Sequence, residues 1–254
     1  LIGKDQKIDI LEGHIWSKES PIGNFPRGPI AGTCLHKILE KIDFYDIENK
    51  TKISSIIEEE LNIVNISSSF IEPINILLKR IANIPLGGAL GNFKLENLNP
   101  KNLLKELKFD IPICHDTNPI NTLELSSIFK EDIQNKYGSD YINKLINLNI
   151  YSSGFLTGSI DLVFADNPNH ENAKWWVLDW KSNWIGSPLS KGDGFYCGPS
   201  NYSMYRMDEE MYHHHYPLQA HIYLLALHRF LNWRLPKYSA QKHLGGYIYV
   251  FLRG

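Results

Sequence analysis

Two apolar segments in the C-terminal half of the chain each contain a carboxylate, and this feature constrains the fold more than any other. Residues 158–164 read GSIDLVF, with Asp161, and residues 177–183 read VLDWKSN, with Asp179 and Lys181. Both segments resemble buried strands, where a carboxylate without a metal, a cation or strong hydrogen bonds is costly. Asp179 and Lys181 are two residues apart, so on a strand they share a face. If neighbouring strands bring Asp161 beside Asp179, two carboxylates and one ammonium meet at one point.

This combination of groups suits the hydrolysis of phosphodiesters. Two carboxylates can hold Mg²⁺, which prefers oxygen ligands and would polarise the phosphate and activate a water. Lys181 would orient that water and offset charge in the transition state. The alternative is a structural salt bridge between Asp179 and Lys181 on an edge strand, the usual explanation of an isolated pair at this spacing. The second carboxylate, Asp161, in an apolar strand of its own, makes catalysis an equal alternative.

Hydrophobic periodicity predicts an α/β core preceded by a mainly helical part. Apolar residues at helical spacing predict a helix over 31–44, with Thr33 as its N-cap, and further helices over 53–65 and 70–82. Because strands and helices alternate in the C-terminal half, we expect a mixed central sheet flanked by helices. The other predicted elements are strands at 107–113, 155–164, 175–180 and 247–252, helices over 122–149 broken near Gly138, and a helical region over 203–234 that restarts or kinks at Pro217.

The breaker residues suggest a division of the chain. Residues 1–30 are predicted to be an extended lead-in, and residues 31–100 a mostly helical part with a linker-like, Gly-, Asn- and Pro-rich segment at 83–100. Residues 101–254 are predicted to form the α/β core. The sequence lacks an initiator Met and a signal peptide and stops directly after an apolar run, so we expect a domain excised from a longer protein.

Charge and cysteine content narrow the class of protein. The net charge is −2, from 26 basic and 28 acidic residues, which argues against a free-standing nucleic-acid binder but allows a nuclease whose DNA a partner delivers. The three cysteines are widely spaced and form no CxxC pair, which favours a reducing compartment and a cytoplasmic location. No segment approaches the roughly 20 apolar residues of a membrane span, so no membrane association is expected.

The paired segments GSIDLVF and VLDWKSN resemble the bipartite signature of the PD-(D/E)XK nuclease superfamily, which has a restriction-endonuclease-like fold. Four further segments are similar to one branch, the RecB-like C-terminal nuclease domains of exodeoxyribonuclease V beta subunits. Residues 45–100 and 114–150 match only loosely. The four segments are GTCLHKILEKIDF (32–44), KELKFDIPI (105–113), YPLQAHIYLLALHRFL (216–231) and GGYIYVFLRG (245–254).

The resemblance implies a metal site. His36 on the first helix would join Asp161 and Asp179 as a ligand, with the backbone carbonyl of Trp180 as a further ligand. The implied ion is Mg²⁺, with Mn²⁺ as a substitute that imidazole tolerates well. Outside this set of motifs, His36 would be read as an ordinary helix histidine.

The resemblance also implies catalytic and supporting residues. Beside Lys181, Gln219 and Tyr223 lie one helical turn apart and would face the active site and the DNA, although Tyr223 could equally pack in the core. Glu40 follows His36 by one turn and would orient it, unless it is a solvated acid. Glu106 stands where the family carries an active-site glutamate, and an exposed strand-end residue is the alternative.

The implied function is the Mg²⁺-dependent DNA nuclease domain of a RecB-like helicase–nuclease, acting on single-stranded DNA in recombinational repair and DNA degradation. RecC-like and RecD-like subunits would surround it, and a helicase motor would lie upstream, because the chain contains no Walker A motif. One alternative is an inactive nuclease fold that binds DNA or partner subunits. Another is a stand-alone nuclease of the same superfamily, which the cut-looking ends disfavour.

Two further segments invite attention. His213–His215 suggest a metal site, but consecutive helical residues face different directions, so we expect a surface or DNA-facing role. Residues 186–202, with Tyr196 and Tyr202, have the Gly content of a mobile loop near the active site.

Overall fold

The strands in the described part of the chain form two sheets. The computed structural model describes residues 15–16, 20–113, 126, 138–148, 154–169, 172–188 and 195–254. Its strands are β1 (Ile15–Trp16), β2 (Leu103–Ile113), β3 (Gly154–Ala165), β4 (Trp175–Lys181), β5 (Ser187–Pro188), β6 (Phe195–Cys197) and β7 (Leu244–Phe251). The central sheet has the order β2, β3, β4, β7, and the small sheet has the order β1, β6, β5.

The central sheet is mixed, as predicted. β2 pairs antiparallel with β3, β3 pairs antiparallel with β4, and β4 runs parallel to β7. The hairpin predicted between the two carboxylate-bearing segments is therefore confirmed. β4 is buried along its whole length, which accounts for its nearly continuous apolar sequence. Because β4 and β7 are parallel, the chain must cross over between them, and helices make that connection.

The described helices lie before, between and after these strands. They are α1 (Pro29–Lys41), α2 (Lys50–Ile63), α3 (Ile71–Asn83), α4 (Gly138–Ile146), α5 (Met204–His213), α6 (Tyr216–Arg234) and α7 (Ala240–His243). Pro217 lies in the first turn of α6, where its ring is tolerated, so the long helical region does restart there as predicted.

The first helix begins earlier than the sequence predicted. α1 starts at Pro29, and its N-cap is Gly28, with a φ of 100° that only glycine adopts readily. Proline is favoured at the first helical position because its missing N–H would have no partner there. Thr33 therefore lies inside the helix, and its prediction as the N-cap was wrong.

Apolar side chains cover both faces of the central sheet. On one face, α1, α2 and α3 pack against alternate residues of β3 and β4, including Leu162 and Leu178. On the other face, α6 packs against Val163 and Val177 through residues such as Leu227. Leu95 and Leu98, from the segment predicted to be linker-like, are buried in the first of these clusters.

A buried arginine joins the two ends of the described chain. Arg253 is 2% exposed, and its guanidinium donates to the carbonyls of Phe25, Pro26 and Ser182 at 2.6, 2.7 and 3.0 Å. The carbonyl of Arg253 in turn accepts a hydrogen bond from the buried Ser20 hydroxyl at 2.5 Å. Residues 20–26 are thereby fixed beside the end of β4, next to the carboxylate-bearing segments.

Several sequence predictions fall wholly or partly outside the described residues. These are the lead-in before residue 20 apart from β1, most of the helices predicted over 122–149, and residues 189–194 of the predicted loop. Among the helices that are described, none has the length and apolar character needed to cross a membrane.

Candidate active site

The two aspartates lie at a fork in the central sheet. The pairing of β3 with β4 ends at Leu162 and Leu178, and Asp161 and Asp179 each stand one residue beyond that pair. The backbone N–H of Trp180 donates to Asp161 Oδ2 at 2.8 Å. One carboxylate is thus hydrogen-bonded to the strand that carries the other, which brings the two segments together as the sequence predicted.

Glu106 lies at this fork because the alternation of side chains between the two faces of the sheet is interrupted at this point of β2 and β3. The pairs Lys105–Leu162 and Leu107–Ile160 place Glu106 across from Asp161. The φ of Glu106 is +50°, a conformation that costs free energy in a non-glycine residue and occurs often at functional sites. Across this point Leu162 packs with the α1 side of the sheet, whereas Ile160 packs with the α6 side, so strict alternation is broken.

The Glu106 carboxylate is held in place by a neighbour on β3. Ser159 Oγ donates to Glu106 Oε2 at 2.8 Å, which leaves the other carboxylate oxygen for a further partner. Glu106 also lines the same cleft as Asp161 and His36. The interpretation of Glu106 as an exposed strand-end residue therefore does not describe its position.

His36 approaches the fork from α1. Its Nδ1 lies 3.4 Å from Asp161 Oδ1. Burial lowers the pKa of His36, but the hydrogen bond and charge of Asp161, together with the charge of Asp179, outweigh this and raise the pKa overall. The neighbouring residues Leu35 and Ile38 are buried and fix the helix against the sheet, so His36 is directed at the carboxylates by the packing of its own helix.

Asp179 and Lys181 form a buried ion pair. Asp179 is 4% exposed and Lys181 is 7% exposed, and the distance from Lys181 Nζ to Asp179 Oδ2 is 2.6 Å. Burial raises the pKa of Asp179 to about 6, opposed by the charge of Lys181. The partner of Asp179 Oδ2 is therefore the Lys181 ammonium, although the direction of this contact is poor for a hydrogen bond.

Residues of α6 hold the ammonium of Lys181. Lys181 Nζ donates to Gln219 Oε1 at 2.9 Å, and Gln219 Nε2 donates to the Tyr223 hydroxyl at 2.9 Å. Burial raises the pKa of Tyr223, and the charges of Asp179 and Asp161 add to this. Tyr223 also packs in the core beside Phe109. The two alternatives for this residue, facing the site and packing in the core, therefore describe the same position.

Two tyrosines beside Lys181 were missed by the sequence analysis. Lys181 Nζ lies 3.7 Å from the centroid of the Tyr216 ring and 4.9 Å from that of Tyr249. The Tyr249 hydroxyl lies 2.9 Å from the Tyr216 carbonyl and 3.1 Å from Gln219 Oε1, both of which can accept its proton. Tyr249 is the register partner of Asp179 on the parallel strand β7. The alternating sequence GGYIYVF indicated which face of its strand Tyr249 occupies. The register that places Tyr249 beside Asp179 could not be predicted from the sequence.

An open cleft of about 780 Å³ leads to the fork from the α1 side. Its wall includes the N-terminus of α1 at Gly28, where backbone N–H groups favour anions. Arg27 also lines it, with its guanidinium 4.4 Å from the centroid of the Trp184 ring. Arg27 was not singled out in the sequence, although its place directly before the first helix was a usable signal.

Some residues lie elsewhere than expected. Glu40 contacts Lys37, with Oε2 2.5 Å from Nζ, rather than orienting His36. Tyr202 is 7% exposed and its hydroxyl donates to the Asn183 carbonyl at 2.8 Å, so this end of the predicted mobile loop is part of the core. Both differences arise because a side-chain partner nearer in space was not apparent from sequence spacing.

The residue types at the fork are ones that could hold a divalent cation. The carboxylate of the buried Asp179 is ion-paired with Lys181, and its Oδ2 accepts no well-directed hydrogen bond among the described residues, so it retains capacity to coordinate a cation. Asp161, His36 and Glu106 lie around the same cleft and offer oxygen and imidazole donors. Oxygen-rich sets of this kind suit Mg²⁺ and, with an imidazole present, Mn²⁺.

Sequence comparisons reveal relatives, although no protein-family model matches the chain. The RecBCD enzyme subunit RecB of Haemophilus influenzae is 30% identical over 256 residues, which is 97% of this chain and 18% of that protein. The RecB subunit of Buchnera aphidicola subsp. Baizongia pistaciae is 34% identical over 232 residues, or 90% of this chain and 17% of that protein. The RecB subunit of Escherichia coli K12 is 30% identical over 230 residues, which is 91% of this chain and 17% of that protein. The chain thus spans less than a fifth of these relatives.

The mixed sheet, its flanking helices and the carboxylates at its fork define an α/β protein with a nuclease-like core. Within that class the chain belongs to the RecB family, and its predicted resemblance to the C-terminal nuclease domain of RecB is confirmed.

Proposed function

We propose that this chain is a Mg²⁺-dependent nuclease domain that hydrolyses DNA phosphodiester bonds in recombinational repair and DNA degradation. The observation that carries the proposal is the buried ion pair of Asp179 and Lys181, whose Oδ2 and Nζ lie 2.6 Å apart at the fork beside Asp161. Maintaining this arrangement is costly in a core, and a site for a cation and a phosphate accounts for it. Membership of the RecB family supports the same function.

The metal would be held by Asp161, Asp179 and His36, with Glu106 and the backbone carbonyl of Trp180 as further donors. When bound, the ion would supply Lewis-acid polarisation of the scissile phosphate. The protein contributes the fixed positions of these donors. Asp161 is held by the Trp180 N–H, and Glu106 is held by Ser159.

Lys181 would act on the attacking water and on the phosphate. Its ammonium is fixed by Gln219 Oε1 and lies on the rings of Tyr216 and Tyr249. An ammonium that is already in place stabilises the negative charge of the transition state without reorganisation. Tyr223 keeps the amide of Gln219 oriented with its oxygen toward Lys181, because the Gln219 Nε2 donates to the Tyr223 hydroxyl.

The DNA would enter through the open cleft as a single strand. The N-terminus of α1 and the guanidinium of Arg27 are suited to phosphate groups. With a net charge of −2, the chain has little general attraction for DNA, which fits delivery by a motor. That motor would lie in the remainder of a longer cytoplasmic protein, with RecC-like and RecD-like subunits as partners.

A comparison of Lys181→Ala with Lys174→Ala tests this function. Lys174 is exposed just before β4, so its variant is a control for the loss of a positive charge. With a labelled single-stranded oligonucleotide and Mg²⁺, we expect Lys181→Ala to slow cleavage about 10²–10³-fold, as removal of one transition-state donor does. The Lys174→Ala rate should be unchanged, and circular dichroism should show that both variants are folded.

Two outcomes would contradict the proposal. A folded Lys181→Ala protein that cleaves at the wild-type rate would exclude the assigned role of the lysine. A wild-type protein that neither cleaves DNA nor binds millimolar Mg²⁺ or Mn²⁺ in a calorimeter would favour an inactive module that binds DNA or partner subunits.

A further inference from the structure

A second group of metal-ligating side chains lies at the end of α5. Ligand atoms of Glu210, His213 and His214 all lie within 4.8 Å of one another. His214 Nε2 is 3.0 Å from Glu210 Oε2, and the rings of His213 and His214 are 4.8 Å apart at an interplanar angle of 75°. We call these three residues the histidine cluster. None of them belongs to the carboxylate fork, by which we mean the sheet fork with Asp161 and Asp179 described above.

The cluster forms because the helix ends within the run of histidines. Glu210 lies three residues before His213 and four before His214, which are the spacings of neighbours on a helix. α5 ends at His213, and His214 is its C-cap, with φ −97° and ψ 7°. The rule that adjacent helical residues diverge therefore does not apply to this pair. His215 has a φ of 55° and packs against Tyr141 instead, so the third histidine is directed away from the other two.

We propose that the histidine cluster binds a divalent transition-metal ion such as Zn²⁺. Two imidazoles and one carboxylate form the ligand set of open zinc sites, in which a water occupies the fourth position. Ligand distances of about 2.0–2.1 Å require ligand atoms roughly 3.3 Å apart in a tetrahedron. The cluster must contract slightly to reach this geometry, and the exposed side chains of His213 and His214 have the rotamer freedom to do so.

The position of the cluster leaves room for the ion to enter. A pocket of about 320 Å³ is lined by all three residues and opens to solvent. Arg206 also lines this pocket, four residues before Glu210 on α5, and its charge opposes a cation there. A metal must therefore be bound through strong imidazole coordination, which favours Zn²⁺, Ni²⁺ or Co²⁺ over Mg²⁺.

The cluster adjoins the carboxylate fork without sharing its ligands. The His214 ring stacks on the Tyr216 ring with centroids 5.3 Å apart. Tyr216 is in turn the aromatic face that lies 3.7 Å from Lys181 Nζ. His214 also lines the cleft that leads to Asp161. The proposed site is thus separate from the proposed Mg²⁺ site, and its existence does not depend on nuclease activity.

Titration with Co²⁺ in the presence of excess Mg²⁺ tests the proposal. Binding would be followed by calorimetry and by the visible absorption of tetrahedral Co²⁺, with Zn²⁺ as the competitor. We expect the wild-type protein to bind one ion that both His213→Ala and Glu210→Gln weaken at least tenfold. Glu209→Gln is the matched control, because Glu209 is an exposed neighbour in the same pocket whose carboxylate contacts Tyr205.

An Arg206→Gln variant sharpens the test. Because the arginine charge opposes the ion, this variant should bind Co²⁺ more tightly than the wild type. The proposal is wrong if the wild-type protein binds no Co²⁺ below millimolar concentration. It is equally wrong if His213→Ala and Glu210→Gln bind Co²⁺ as the wild type does, because the ion would then be held elsewhere, for example at the carboxylate fork.

Discussion

Each side of the sheet fork pairs an aspartate with a basic side chain, but the two sides differ in burial and in hydrogen bonding. On the β4 side, Asp179 and Lys181 are buried and their partners come from α6 and β7. On the β3 side, Asp161 and His36 border an open cleft, with side-chain exposures of 13% and 32%. On the buried side Asp179 Oδ2 is partnered by a side-chain ammonium, whereas the Asp161 carboxylate accepts a hydrogen bond from the backbone of Trp180.

This difference assigns separate tasks to the two sides. A buried ion pair holds its ammonium in a fixed position and in a medium of low dielectric constant, where it acts strongly on a developing charge. The open side can exchange solvent and admit a long polymer such as DNA. We therefore expect variants on the buried side to affect stability and rate together, and variants at the cleft wall to affect mainly DNA affinity.

The largest effect on the free energy of unfolding is expected for Asp179→Ala, which should exceed the effect of Asp161→Ala. Asp179→Ala would leave the Lys181 ammonium buried without its counter-ion, which typically costs about 3–5 kcal/mol. Asp161→Ala would remove one hydrogen-bond acceptor from the Trp180 N–H, for which about 1–3 kcal/mol is typical. Denaturant unfolding in the presence of a chelator measures both free energies without any contribution from bound metal.

The double variant Asp179→Leu/Lys181→Met is the control for this prediction. Replacing both charges by apolar side chains removes the unpaired ammonium, so much of the lost stability should return, although activity should not. Equal losses of stability for Asp179→Ala and Asp161→Ala would show that the two sides of the fork do not differ as described.

The same contrast shows how far the sequence could predict the site. The meeting of Asp161, Asp179 and Lys181 followed from two apolar segments and a spacing of two, which are local features. Tyr249 could not be predicted in the same way, because the parallel register of β4 and β7 depends on the crossover through α5 and α6. Glu106 was visible only through a family resemblance, since its orientation depends on a left-handed φ that breaks the alternation of its strand.

The fold was easier to predict than the contacts of individual side chains. The order of helices and strands follows from periodicity, which spans many residues and tolerates single errors. The start of α1 depends instead on one residue, Gly28, and on the proline that follows it. The contact of Glu40 depends on which of two neighbours is closer, and helical spacing allowed both His36 and Lys37.

A smaller effect, on DNA affinity, is expected for a variant at the wall of the cleft. Arg27→Gln removes a guanidinium beside the N-terminus of α1 without touching the fork, so it should weaken DNA binding and leave the rate at saturating DNA nearly unchanged. Loss of one phosphate contact lowers the salt slope of binding by about 1. Fluorescence anisotropy with a single-stranded oligonucleotide at several salt concentrations, without divalent metal, would measure this slope.

Arg229→Gln provides the matched control for Arg27→Gln. Arg229 is an exposed arginine on α6, on the far side of the site from the cleft-lining helix α1, so its variant should keep the wild-type salt slope. If both variants change the slope equally, the effect belongs to net charge rather than to the cleft.

The smallest effect on the cleavage rate is expected for Glu40. This variant tests whether Glu40 acts through Lys37, which it contacts, or through His36, which lies one helical turn away. The Glu40 carboxylate pairs with the half-exposed Lys37, and exposed ion pairs of this kind contribute about 0–1 kcal/mol. Glu40→Gln should therefore change the cleavage rate by no more than about twofold, which corresponds to about 0.4 kcal/mol. Glu106→Gln should slow cleavage much more, because Glu106 faces Asp161 and is held there by Ser159. If the two variants were equally slow under single-turnover conditions, Glu40 would have to orient His36 after all, and the open side of the fork would be more tightly organised than its contacts indicate.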